Sequence, residues 1–162
     1  MKTRVPSAAY HEAGHAVAAI VLGMRVDVAS IETTGYPAGY RLRGGVIAGF
    51  NHGGVENRHE AESAATAGLS GEQAERLWAL EKPWRHVKNP RHYSLSGDHA
   101  YVNDVLRAFM NNPGDKRRTI ARLKVASRTL LNKHWNSVED VAEKLARYKS
   151  IDEKELKRLV AH

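Results

Sequence analysis

The feature that most constrains the fold is the segment of residues 7–22, where alanine and aliphatic residues occupy nearly every side of a predicted helix. Pro6 suits the first turn of this helix, and Gly23 offers a stop at its end. A helix that is apolar all round must be buried. The rest of the chain is therefore expected to pack around it.

Three ionisable side chains interrupt this apolar segment. They are His11, Glu12 and His15, in the pattern His-Glu-x-x-His (HExxH). Histidines four residues apart lie on one helix face and can bind one tetrahedral zinc ion, while the glutamate can act as general base on a water whose pKa the metal lowers toward about 7. Burying three such groups is costly unless something compensates them. The pattern predicts zinc-dependent peptide hydrolysis; the alternatives are a hydrogen-bonded cluster or a purely structural zinc site.

The remainder of the chain alternates between strand and helix signals. Residues 26–54 combine β-branched residues with many glycines, which predicts strands at 28–33, 40–42 and 46–50. A loop is expected at 82–95, which contains Pro83 and Pro90. Helices are predicted at about 56–80, 96–110, 115–134, 137–149 and 153–160.

This pattern predicts a mostly α protein with a small β-sheet beside the HExxH helix. We expect residues 1–162 to form a single domain, with a catalytic core at 1–110 and C-terminal helices at 111–162. The length of 162 residues, with 42% hydrophobic and 27% charged residues, suits one core. Asp115 is expected to cap the helix that follows it.

The composition limits where the protein can be located and which partners it can bind. No run approaches the roughly 18 to 20 apolar residues that span a bilayer, and the N-terminal segment carries ionisable residues that an export signal lacks, so we expect a cytoplasmic protein. The absence of cysteine excludes thiolate ligands. The net charge is +7, and a basic cluster lies between residues 116 and 133. We interpret this cluster as a solvated helix face; the alternative is contact with nucleic acid or a protein partner.

Residues 9–16 resemble the opening helix of the peptidase domain of FtsH-type ATP-dependent zinc proteases. Residues 26–31 and 70–76 are similar to the strand and the small-residue helix that follow in that family, and the C-terminal segments resemble its last helices. The resemblance implies that Asp98, in Ser96-Gly97-Asp98, is the third zinc ligand. Because no Gly-Lys-Ser/Thr phosphate-binding loop occurs, any AAA ATPase that unfolds substrates would be a separate partner, and no membrane anchor is expected.

A catalytic zinc site needs a third protein ligand and one open position. Asp98 is the favoured ligand, although a helix-capping role is its alternative. Glu75 is expected to form a salt bridge or to accept a hydrogen bond from Nδ1 of a ligand histidine. The full set of third-ligand candidates is Asp98, His99, Asp104, Glu72 and Glu75.

Other histidines and the tryptophans receive no role in the metal site. His52, His59, His86, His92, His134 and His162 are expected to be ordinary surface histidines. Trp78, Trp84 and Trp135 are expected to anchor the core or loops rather than line a substrate cleft.

The sequence thus predicts a zinc endopeptidase that acts on unfolded or exposed segments, with Glu12 as general base and with His11, His15 and Asp98 as ligands. Such a ligand set also suits iron or cobalt. The alternative is a non-catalytic zinc module that uses its basic helix to contact nucleic acid or a protein, and a homo-oligomer remains open.

Overall fold

Helices dominate the computed structural model, which describes residues 5–31, 45–81 and 93–161. This confirms the prediction of a mostly α protein with a small sheet. In chain order the elements are α1 (Ser7–Val21), β1 (Arg25–Ser30), β2 (Gly45–Gly49), α2 (Arg58–Glu81), α3 (Tyr93–Arg107), α4 (Pro113–Lys133), α5 (Trp135–Tyr148), β3 (Ser150–Asp152) and α6 (Glu153–Val160).

Helix α1 lies at the centre of the fold, and every residue from Ala9 to Ala19 is buried. It packs against α2, α5 and the sheet. The approach to α2 is close because Gly14 has no side chain: a Cβ there would lie 2.5 Å from the carbonyl oxygen of Ser70 and 2.6 Å from Cβ of Ala74. The prediction that this helix is buried is confirmed.

The sheet has the strand order β2-β1-β3, with both pairings antiparallel. Val28 is paired with Ile47 of β2 on one side and with Asp152 of β3 on the other. Strand β1 begins and ends about three residues before the predicted strand, and residues 40–42 lie outside the described part. Strand β3 was not predicted, because three residues are too few to show an alternating pattern.

Four predicted helix starts lie two or three residues from the observed ones. Helices α2 and α5 begin at Arg58 and Trp135, where starts near 56 and 137 were predicted. Helix α3 begins at Tyr93 rather than at Ser96. Helix α4 is capped by Asn112, whose side chain accepts a hydrogen bond from the backbone N–H of Gly114 at 2.8 Å, and Asp115 lies within the first turn. Asparagine followed by Pro113 is a strong helix start, and α3 has already ended at Arg107. Asp152 caps α6, because its side chain accepts a hydrogen bond from the backbone N–H of Glu155.

None of the helices in the described ranges is both long and apolar enough to cross a membrane.

Candidate metal centre

Helix α1 brings His11 and His15 together, and α3 places Asp98 beside them. The Nε2 atoms of the two histidines are 3.0 Å apart. Oδ2 of Asp98 lies 2.9 Å from Nε2 of His11 and 3.1 Å from Nε2 of His15. When an ion is held tetrahedrally at roughly 2.0 to 2.2 Å, its ligand atoms lie roughly 3.3 to 3.5 Å apart. The triangle formed by these two Nε2 atoms and Oδ2 is therefore slightly smaller than in a site that holds a metal ion. The three side chains form a group that could hold a metal ion.

The opposite side of each imidazole also has a partner. Nδ1 of His15 donates a hydrogen bond to the carbonyl oxygen of Ala67 at 2.8 Å. Nδ1 of His11 lies 2.8 Å from Oε1 of Glu75, an ion-pair distance at which the ring N–H is not aligned for a full hydrogen bond. A proton on Nδ1 leaves the lone pair of a neutral ring on Nε2. Three electron-pair donors then converge on one point, as in sites where outer partners orient metal-binding histidines.

Helix α2 supplies these outer contacts from a single stripe. Ala67, Gly71 and Glu75 are four residues apart, so they share one helix face. A Cβ on Gly71 would lie 2.7 Å from Nε2 of His11 and closer still to Nε2 of His15. Glycine therefore leaves the space that the two ring nitrogens and any ion between them require. Gly71 thus allows α2 to approach α1 closely, and the side chains nearest to it are the candidate ligands themselves.

Gly71→Ala should lower zinc affinity by at least about tenfold, in the range seen when metal-orienting contacts are lost. The added methyl group must push one or both imidazoles away from Asp98. Calorimetric titration of the metal-free protein with zinc measures the effect. Gly97→Ala is the matched control, because within the described ranges no atom apart from its chain neighbours and its own helix backbone lies within 4 Å of the position that a Cβ would occupy, and alanine favours a helix. Equal zinc affinity in the two variants would contradict the role given to Gly71.

Glu12 lies next to the triangle without belonging to it. Its side chain is buried, and within the described ranges it makes no hydrogen bond or ion pair. Burial raises the pKa of Glu12, while the nearby imidazoles of His15 and His11 oppose that shift. A buried carboxylate with a raised pKa and no fixed partner is suited to taking up a proton.

Electrostatics favour a cation at this point. Burial lowers the pKa of His11, but Asp98, Glu75 and Glu12 outweigh burial and raise it to about 10. Burial raises the pKa of Asp98, and hydrogen bonding to His11 and His15 brings it below its usual range. Three carboxylates therefore surround two imidazoles, and a divalent cation would offset most of their negative charge.

The other third-ligand candidates point elsewhere. Glu72 bonds to Arg76 and lies 3.2 Å from Nε2 of His99. Asp104 is exposed and lies 3.5 Å from Arg107. Asp98 does not cap α3, because that helix begins at Tyr93; the capping alternative is wrong.

The remaining aromatic residues behave largely as predicted. Trp78 and Trp135 both pack against Tyr10, with ring centroids 5.5 and 5.8 Å apart, in the core around α1. His52 stacks on Phe50 and pairs with Glu60. Within the described ranges, none of the other histidines joins the metal cluster. His86, His92, His162 and Trp84 lie outside those ranges.

The basic cluster lies on α4, whose buried stripe consists of Thr119, Leu123, Ser127 and Leu131. The basic side chains lie on its other faces. Arg118 pairs with Asp115, and Arg122 pairs with Glu62. This arrangement agrees with a solvated helix face.

No protein-family model matches this chain, and a search of curated proteins gives no significant match. The resemblance to FtsH-type peptidases therefore rests on the sequence motifs alone and stays a prediction.

Proposed function

We propose that this protein is a zinc-dependent endopeptidase that hydrolyses unfolded or exposed protein segments. One observation carries the proposal. Nε2 of His11, Nε2 of His15 and Oδ2 of Asp98 converge within 3.1 Å of one another, with the buried carboxylate of Glu12 beside them. A zinc site kept only for structure has no need of that carboxylate.

The donor set of two imidazoles and one carboxylate fits zinc, which His11, His15 and Asp98 would hold. Zinc at this site would polarise a peptide carbonyl and lower the pKa of a water. Glu12 takes a proton from the attacking water and returns it to the departing amine. Ala67 and Glu75 contact the Nδ1 side of the two rings, so that both Nε2 atoms face Asp98.

The sheet suggests how a substrate would bind. Strand β2 pairs with β1 on one side, and within the described ranges no strand covers its other edge. An extended peptide added to that edge would gain backbone hydrogen bonds with little demand on sequence. Such a binding mode suits unfolded segments, and a separate AAA ATPase would be needed only to unfold folded substrates.

The proposal is tested by metal analysis followed by cleavage assays on casein and on a library of short peptides. We expect one zinc ion per chain, cleavage of both substrates, loss of cleavage with a chelator and recovery with added zinc. Cleavage of short peptides but not of folded proteins would indicate that only an unfoldase is missing. Failure to cleave any peptide with zinc bound would instead favour the non-catalytic module that contacts a partner through α4.

A further inference from the structure

A pocket of about 480 Å³ lies between α2 and α4, close to the metal centre. Leu77, Ala79 and Leu80 form its apolar part. Glu75, whose Oε1 lies 2.8 Å from Nδ1 of His11, also lines it. The pocket and the metal site therefore share one side chain and one helix.

Four charged side chains line the pocket, and three of them have an ion-pair partner within the described ranges. Arg76 is paired with Glu72, and Glu75 is paired with His11. Arg128 of α4 donates from Nε at 3.3 Å and from a terminal nitrogen at 2.9 Å to Oε1 of Gln73. Gln73 is a buried neutral amide, and within the described ranges Arg128 has no carboxylate partner. Among the described residues, Arg128 is therefore the one pocket-lining charge without an ion-pair partner, and its oriented guanidinium lies beside an apolar surface.

We propose that this pocket is a substrate subsite that binds a carboxylate next to an apolar side chain of the peptide, with Arg128 as the carboxylate-binding residue. An oriented guanidinium binds carboxylates strongly, and the leucines provide an apolar surface for the neighbouring side chain. Two groups have this chemistry: the C-terminal residue of a peptide, and an internal Asp or Glu beside an apolar residue. The inference rests on the proposed peptidase function.

The position of the pocket agrees with a subsite. Along α2, Glu75 lies about 6 Å and Leu80 about 14 Å beyond Gly71, at 1.5 Å per residue. An extended peptide advances about 3.3 Å per residue. The pocket would therefore accept a residue about two to four positions from the bond that is cleaved.

Fluorescence anisotropy with three fluorescein-labelled hexapeptides tests the proposal. The first consists of alanines and a C-terminal leucine with a free carboxylate; the second is its C-terminal amide; the third is an amide with glutamate before the leucine. We expect the amide to bind about tenfold more weakly than at least one carboxylate peptide, the factor expected for loss of a charge-assisted hydrogen bond. Preference for the first or third peptide identifies which carboxylate is recognised.

Arg128→Gln should abolish this preference. Arg117→Gln is the matched control, because Arg117 is exposed on the same helix and its loss changes the net charge equally. Equal binding of all three peptides, or equal effects of the two substitutions, would overturn the assignment. Peptide binding is measured with and without zinc, and casein cleavage is measured separately. Casein cleavage tests the metal site, whereas the peptide preference tests the pocket, so failure of one is distinguishable from failure of the other.

Discussion

His15→Ala is expected to purify with only background zinc and to show no hydrolysis above background. The substitution removes one corner of the triangle formed by His11, His15 and Asp98, and two ligands bind zinc far more weakly than three. It also leaves the carbonyl of Ala67 without its hydrogen bond from Nδ1, which costs about 1 to 3 kcal/mol of stability. Metal content, circular dichroism and cleavage of a short peptide measure the three effects.

The control for His15→Ala is His59→Ala, since His59 is exposed on α2. It should retain stoichiometric zinc and activity. A folded His15→Ala protein with a full complement of zinc would show that the ion lies elsewhere. His11→Ala is the second test of the same site, and it should lose zinc without disturbing the contact to Ala67.

The sequence was sufficient to predict the centre of the fold because its signal there is local. The apolar composition of residues 7–22 requires burial, and the spacing of His11 and His15 requires that their rings lie on one face. Both follow from helical geometry alone. Strand β3 depends instead on pairing with β1 across more than a hundred residues of sequence, and its three residues carry no periodic signal.

Asp98 illustrates a different limit. Spacing alone left five candidates for the third corner of the triangle, and only the resemblance to FtsH-type peptidases favoured Asp98. The approach of α3 to α1 depends on tertiary packing of Val102 and Leu106 against α2, which no local pattern specifies. The helix start was placed three residues late because the residues before Ser96 include prolines and show no clear period.

The stripe of Ala67, Gly71 and Glu75 had a signal that could have been found. Its spacing of four residues matches that of His11 and His15, so two helices packed side by side would place each member near a ring. A glycine in the middle of a helix lowers stability by about 1 kcal/mol relative to alanine, so its presence indicates a packing or functional requirement at that position. The reason is the lack of space beside the two Nε2 atoms.

Glu12→Gln is expected to keep its zinc and its fold while losing at least about a hundredfold in the rate of peptide hydrolysis, the lower range for loss of a general base. The amide side chain is nearly the same size as the carboxylate and would lie outside the ligand triangle, so metal affinity should change little. Removing a buried carboxylate whose pKa burial raises should also leave stability unchanged or slightly higher.

The decisive comparison for Glu12→Gln is between metal content and turnover in the same preparation. Glu143→Gln, an exposed substitution on α5, controls for the loss of one negative charge and should behave like the parent protein. If Glu12→Gln loses zinc, Glu12 is a ligand and the triangle is wrongly assigned. If it keeps both zinc and full activity, another group takes the proton from water, and the role given to Glu12 is wrong even though the metal centre stands. Loss of turnover with zinc retained would distinguish a general base from a metal ligand, because we expect His15→Ala to lose the metal and Glu12→Gln to keep it.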